Sequence, residues 1–300
     1  MVKAGRWKKE WAYHAMLVPG VILIFIFHYI PFTGLVMAFQ DFIPTKGILR
    51  SDFVGSANFE YVWHLPDSLK VLRNTIWIAC MKIIAGIVVP VLVSLLLNEV
   101  RSQFVKRGIQ TLIYLPHFLS WIILGGILIE ILSPSHGLVN SFLEWIGLAP
   151  IFFLGDIHWF PATLILSDQW KEFGFNTIVY LAALAGISPS LYEAAEIDGA
   201  SRWKQTIYVT IPGILPIVIL LSTLALGNVL NAGFDQVFNL YSPQVYETGD
   251  ILDTLVYRVG LLDAQYGVAT AIGLFKSLVS LLLISASYWL AYRFAGYRIF

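Results

Sequence analysis

The residues able to do chemistry in this 300-residue chain fall in two places. One is EAAEIDGASRW, residues 193–203, where Glu193, Glu196 and Asp198 stand with Arg202 in a short polar stretch between two apolar ones. The other is scattered through apolar runs. Lys171 and Glu172 follow Trp170, Asn176 lies one helical turn after Glu172, Asn228 and Asn231 are three apart with Asp235 just beyond, and Lys82 and Lys276 are isolated. Charges and amides in an apolar span are costly and usually face a cavity or a partner chain. Trp170, Lys171, Glu172, Asn176, Asn228, Asn231 and Asp235 are therefore the substrate-pathway candidates, and a Glu172–Asn176 hydrogen bond fits their spacing. The alternative is that such groups join helices, which is the expectation for Lys82 and Lys276. His28 and His117 are expected to be packed or hydrogen-bonded.

Covalent catalysis has no signature here. GxSxG, HExxH and the GxxxxGK[ST] phosphate loop are all absent, and the six histidines are not clustered. The chain is expected not to be an enzyme and to carry no cofactor of its own. If it uses ATP and Mg, they belong to a partner ATPase. One cysteine, Cys80, allows no internal disulfide, and 19 basic against 19 acidic residues give no argument for nucleic acid.

The elements that must position these residues are membrane helices. Hydrophobic residues make up 58% and charged ones 13%, far from the soluble balance. About 20 apolar residues span about 30 Å of hydrocarbon as a helix. Six stretches qualify: 12–39, 75–97, 109–132, 160–184, 207–231 and 269–292. The first follows Lys3, Arg6, Lys8 and Lys9 but is too long for a signal-peptide core, so a retained helix is expected. With the N-terminus inside, eleven Lys and Arg fall on the inner side and five on the outer. The positive-inside rule thus puts both termini, and the loop 185–206, in the cytoplasm.

The fold expected is an all-α polytopic membrane protein with six transmembrane helices, divided as a tail 1–11, a first helix and outer loop 12–74, a transmembrane domain 75–295 and a short C-terminus 296–300. The outer loop has the turn residues and mixed charge of an ordered cap. The stretch 250–262 has the spacing of a short amphipathic helix at the outer surface.

Within the inner loop, Ser188 and Pro189 read as a helix start, with Glu193 in the first turns. Ala194 and Ala195 keep one face small. Asp198-Gly199 ends the helix if Gly199 takes positive φ. Solvated capping alone would explain the charges but not the whole arrangement.

Glu193-Ala194-Ala195, Gly199 and Val209-Thr210-Ile211-Pro212 resemble the loop EAA-x3-G-x9-I-x-L-P of permease subunits in type I ABC importers, with Val209 and Ile211 in place of the usual Ile and Leu. PFTGLVMAFQDF, WKEFGFNTIVYLAAL, DTLVYRVGLL, ATAIGLFKS and the ending GYRIF resemble the carbohydrate branch that serves oligosaccharides released from polysaccharides. The resemblance implies that the loop is a coupling helix docking on a cytoplasmic ATPase, with Glu193, Ala194, Ala195, Asp198 and Gly199 as coupling residues. It also implies a second homologous permease forming a heterodimer, two ATPase subunits, an extracytoplasmic solute-binding protein and a bacterial cytoplasmic membrane with its lipid. For a sugar, Trp170 would be the aromatic plate and the asparagines would meet hydroxyls. Lys171 would favour an acidic oligosaccharide. The competing class is a secondary transporter or channel for a polar solute, for which inverted repeats and an intramembrane acid chain are missing.

Overall fold

The computed structural model describes residues 3–295. The expected C-terminal segment 296–300, with GYRIF, lies outside the described residues, as do Met1 and Val2. The chain divides into two compact units, Met1–Leu65 with Val256–Phe275, and Pro66–Leu255 with Lys276–Phe300.

In the first unit, α1 (Lys3–Ile24) continues through a wide turn at Phe25–Tyr29 into a tight helical stretch, Ile30–Phe39. The helix starts at Lys3, so the basic residues expected in a tail occupy its first turns. From Trp11 to Thr33 every described side chain is exposed, as befits a helix whose apolar surface meets lipid or another chain. Beyond it lies the cap. Strands β1 (Gln40–Asp41) and β2 (Asp52–Phe53) pair antiparallel, and α2 (Ala57–His64) packs beside them. Gly267 makes the unit close-packed: a Cβ there would meet the Gln40 carbonyl oxygen at 2.5 Å and Asn58 Nδ2 at 2.8 Å.

The second unit is built on α3 (Ser68–Glu99) and α7 (Phe160–Ala185), whose facing residues Ile78, Ala79, Phe160, Leu164 and Tyr180 are buried. Any membrane-thick window of α7 includes Asp168, Lys171 and Glu172, so α7 by itself is not among the helices apolar enough to cross unaided.

The third expected span is not one straight helix. Helix α4 (Gln103–Tyr114) leads through a tight turn, Leu115–Phe118, into α5 (Trp121–Ile131), and the two halves meet at 105°. Pro116 has no N–H for the continuing ladder, and the Ser120 hydroxyl accepts from Ile123 N at 3.4 Å to start a new helix. Four helices are thus long and apolar enough to cross unaided, or up to six spans if each bent pair counts as one.

After α5 the chain forms α6 (Leu138–Trp145), and after α7 it forms α8 (Pro189–Ile197) and α9 (Arg202–Gln205). A wide turn at Thr206–Thr210 joins α9 to α10 (Ile211–Leu226). The fifth expected span therefore stops at Leu226 rather than residue 231. Residues 227–231 tighten into i→i−3 turns, such as Asn231 N to Asn228 O at 2.8 Å. Short helices α11 (Phe234–Leu240), α12 (Tyr246–Gly249) and α13 (Leu252–Tyr257) follow, then α14 (Tyr266–Ala295). The helix expected near 250–262 forms, but Ile251, Leu255 and Val259 are buried, while Leu262 is exposed.

Candidate functional site

Helix α8 stands exposed at the end of α7, bent 67° from it. Pro189 takes the first helical position, and Ser188 has the extended backbone of a cap. The Ser188 hydroxyl bonds Ser190 Oγ at 2.8 Å instead of a backbone N–H, so the expected side-chain cap is not made. The other end closes as expected. Gly199 has φ +74°, its N–H donates to Glu196 O at 3.0 Å, and Ala200 N donates to Ala195 O at 2.9 Å. This is a Schellman ending, which needs a left-handed residue at Gly199. A Cβ on Gly199 would meet nothing within 4 Å, so backbone conformation and not space selects glycine.

Two contacts tie this region to the bundle. Tyr192 OH lies 3.0 Å from Thr210 Oγ1 at the base of α10, and Arg202 Nη1 lies 2.9 Å from Glu99 Oε2 at the end of α3. Outward, α8 presents Leu191, Glu193, Ala194, Glu196 and the 87% exposed Ile197. Asp198 follows at its end, also exposed. Helix α8 is thus a small-residue helix whose acids and aliphatic side chains are left uncovered.

The second feature is a cavity of about 350 Å³ between α3, α7, α10 and the turns after α10. Lys82, Asp168, Glu172, Asn176, Asn228 and Asn231 are among its lining residues. On α7, Asp168, Glu172 and Asn176 recur every fourth residue and so share a face. Four of the seven pathway candidates, Glu172, Asn176, Asn228 and Asn231, are thus brought together. The asparagines come from beyond the end of α10, so their meeting owes nothing to a helical face.

The other three are not. Trp170 is 40% exposed and lies off the cavity wall, about 100° round the helix from Gln169. Lys171 is buried away from it: its Nζ donates to His117 O at 2.7 Å and approaches Glu172 Oε1 at 3.2 Å. Asp235 is exposed on the first turn of α11 and does not line the cavity. The expected Glu172–Asn176 bond is replaced by His117 Nδ1 at 2.8 Å from Glu172 Oε2. His117 also stacks on Phe175 with centroids 4.0 Å apart, so the broken third helix is fastened to α7 at its bend.

Asp168 escaped the sequence reading. Its signal was its position one turn before Glu172, on the same face, in a chain with a lone Lys82 in another span. Lys82 Nζ lies 3.3 Å from Asp168 Oδ1, donates to Ala232 O at 2.7 Å and bonds Gln236 Oε1. Gln236 donates onward to Leu164 O at 2.8 Å and Ser167 Oγ at 2.7 Å. Lys276 is likewise interhelical, paired with Asp253 at 2.5 Å.

Each acid of the cavity therefore has a cation beside it, while the side-chain amides of Asn176 and Asn231 make no hydrogen bond among the described residues. Paired charges and open amides in a bundle of apolar helices, with an exposed short helix at one end, fit a transport protein of the permease type. The chain belongs to the family of binding-protein-dependent transport system inner membrane components, whose model matches residues 82–296. It is a multi-pass protein of the inner membrane.

It is 39% identical over 281 residues to the polygalacturonan/rhamnogalacturonan transport system permease protein YteP of Bacillus subtilis, covering 94% of this chain and 88% of that one. Protein LplB of the same organism is 38% identical over 287 residues, covering 96% and 90%. A chain in the crystal structure of a bacterial alginate ABC transporter, in complex with an alginate pentasaccharide-bound periplasmic protein, superposes with a TM-score of 0.90 at 38% identity. That match covers 98% of each chain.

Proposed function

We infer that the chain is one of two permease halves of an ATP-driven importer, and that its solute is an acidic oligosaccharide. Helix α8 is the element through which a separate ATPase moves the bundle, with Glu193, Ala194, Ala195, Asp198 and Gly199 as its docking residues. ATP and Mg reside on that ATPase, present in two copies, and an extracytoplasmic solute-binding protein delivers the sugar. The second permease is a related chain that supplies the other wall of the pathway, in keeping with a cavity of only about 350 Å³ here.

The observation that carries the solute reading is the charge pairing in the cavity. Asp168 is balanced by Lys82, and Glu172 by Lys171 with His117 beside it. The wall therefore does not repel a uronate, although Asp168 and Glu172 alone would. Open amides donate N–H to carboxylate or hydroxyl oxygens alike, so Asn176 and Asn231 suit a carboxylated sugar, while the Asn228 amide already donates to Leu224 O at 3.5 Å. Lys171 acts by neutralising Glu172, not by meeting the sugar. The names of the relatives point to the same chemistry: YteP carries polygalacturonan and rhamnogalacturonan in its name, and the transporter of the superposed chain takes alginate.

The test is ATP hydrolysis by the importer reconstituted with its second permease, ATPases and binding protein. Oligogalacturonates should stimulate hydrolysis, and neutral oligosaccharides of the same length should not. Equal stimulation by both would overturn the acidic assignment.

A further inference from the structure

The cap contains a second pocket, of about 470 Å³, that the transport pathway does not use. Its wall includes Asp41, Phe42, Asn58, Tyr61, Gln265 and Tyr266, all within the first unit, and the distribution of Lys and Arg puts these loops on the outer side of the membrane. The floor is fixed. Asn58 Nδ2 donates to Ala38 O at 3.0 Å and Gln40 O at 2.9 Å, and Gly267 brings the last helix against the same peptide. At the lip, Ala264 has φ +55°, the single positive φ outside glycine among the described residues. A left-handed alanine is strained and persists where the surroundings hold it.

The charge in this pocket is unbalanced. In the β1–β2 register Asp41 stands directly opposite Asp52, a like-charge pair that disfavours the ladder. Lys46 relieves one member, at 3.3 Å from Asp52 Oδ2. The Asp41 carboxylate is exposed and has no ion pair or hydrogen bond among the described residues. Beside it stand three rings: Phe42 and Tyr266 meet edge to face with centroids 5.9 Å apart, and Tyr61 is 47% exposed. A free carboxylate next to aromatic rings is the environment a guanidinium or ammonium group seeks. A bare metal ion would want several converging oxygens, and the pocket offers one carboxylate. A uronate would be repelled by it.

We propose that this pocket receives a lysine or arginine side chain from the docking face of the solute-binding protein. The inference rests on the importer reading, because only that reading supplies a protein partner on this side of the membrane. The pocket would serve recognition of the loaded binding protein and not passage of the sugar.

The experiment uses the full reconstituted importer and titrates loaded binding protein while ATP hydrolysis is followed. Asp41→Asn and Tyr61→Ala should each raise the half-saturating concentration of binding protein, Asp41→Asn by about tenfold, with the maximal rate retained. The salt dependence of half-saturation should weaken in Asp41→Asn. Asp41→Asn is close in shape and sits on the surface, so assembly should be unaltered, as size-exclusion chromatography can check. Unchanged half-saturation in both variants would overturn the proposal. So would a changed dependence on free oligosaccharide with binding-protein dependence intact, which would make the pocket a sugar site. If binding protein fails to stimulate even the wild-type importer, the importer reading falls and takes the pocket assignment with it.

Discussion

Lys82 Nζ donates to the carbonyl of Ala232, 150 residues away, at 2.7 Å while it pairs with Asp168 at 3.3 Å. The first contact supplies a donor to the carbonyl of a buried residue where the chain has left the helix. The second spans α3 and α7, the two helices on which the larger unit is built. One ammonium group therefore holds the unwound segment after α10 against the central helix pair. Lys82→Met should strip Asp168, Ala232 and Gln236 of their shared partner at once and lower stability by about 2–4 kcal/mol, read as a fall in the melting temperature of the purified complex. Lys82→Met with Asp168→Asn should recover part of that loss. Equal melting of Lys82→Met and wild type would remove this clamp.

Gly174 marks a close crossing of α4 and α7. A Cβ there would meet Ile113 O at 2.0 Å and Ile113 C at 2.5 Å, both backbone atoms that cannot swing aside. Gly174→Ala is expected to push α4 off α7 and cost roughly 2 kcal/mol or more, with reduced protein in the membrane fraction. Gly20→Ala, with nothing within 4 Å of its Cβ, is the control that should be silent.

Substitutions at Gly199 separate backbone from bulk. Because the space is open and φ is +74°, the side chain's tolerance of the left-handed region sets the order. Gly199→Asn should retain most coupling, Gly199→Ala less and Gly199→Val least, measured as ATP hydrolysis per sugar transported. All three should insert normally. Equal coupling in Asn and Val variants would show that the turn is not what docking requires.

The cavity amides and Trp170 should part company in uptake kinetics. Asn176→Ala or Asn231→Ala removes about one hydrogen bond, worth about 0.5–1.5 kcal/mol, and should weaken transport by about 2- to 10-fold at unchanged assembly. Trp170→Ala should leave uptake kinetics alone, since its ring lies off the wall. A Trp170 variant with the larger defect would restore the aromatic-plate role to that residue.

Much of this was legible from residue types because the membrane makes polar groups conspicuous. Six apolar stretches, a cytoplasmic helix ending at Gly199 and four of the cavity residues could be read without coordinates. What could not be read depended on where helices stop. Asn228 and Asn231 looked like one helical face, yet they meet the cavity because α10 ends at Leu226 and the chain tightens. Pro116 lacks the N–H that continues a helix, so a break there is legible in the sequence, but the 105° at which the two halves meet is not. Trp170 and Lys171 were assigned by their neighbours in sequence, whereas helix phase turns the former outward and puts the latter against His117 and Glu172. Asp168 was overlooked because a single acid inside an otherwise apolar stretch draws notice only once Lys82 is placed opposite it.

The central claim is that this bundle moves solute only when another chain spends ATP through α8. Proteoliposomes holding both permeases, assembled with and without the ATPase subunits, test it directly by uptake of a labelled oligogalacturonate in the presence of binding protein and internal ATP. The account predicts uptake with the ATPases, loss of uptake without them, and loss again with Gly199→Val while the complex stays in the bilayer. Uptake that continues in the absence of any ATPase would contradict it.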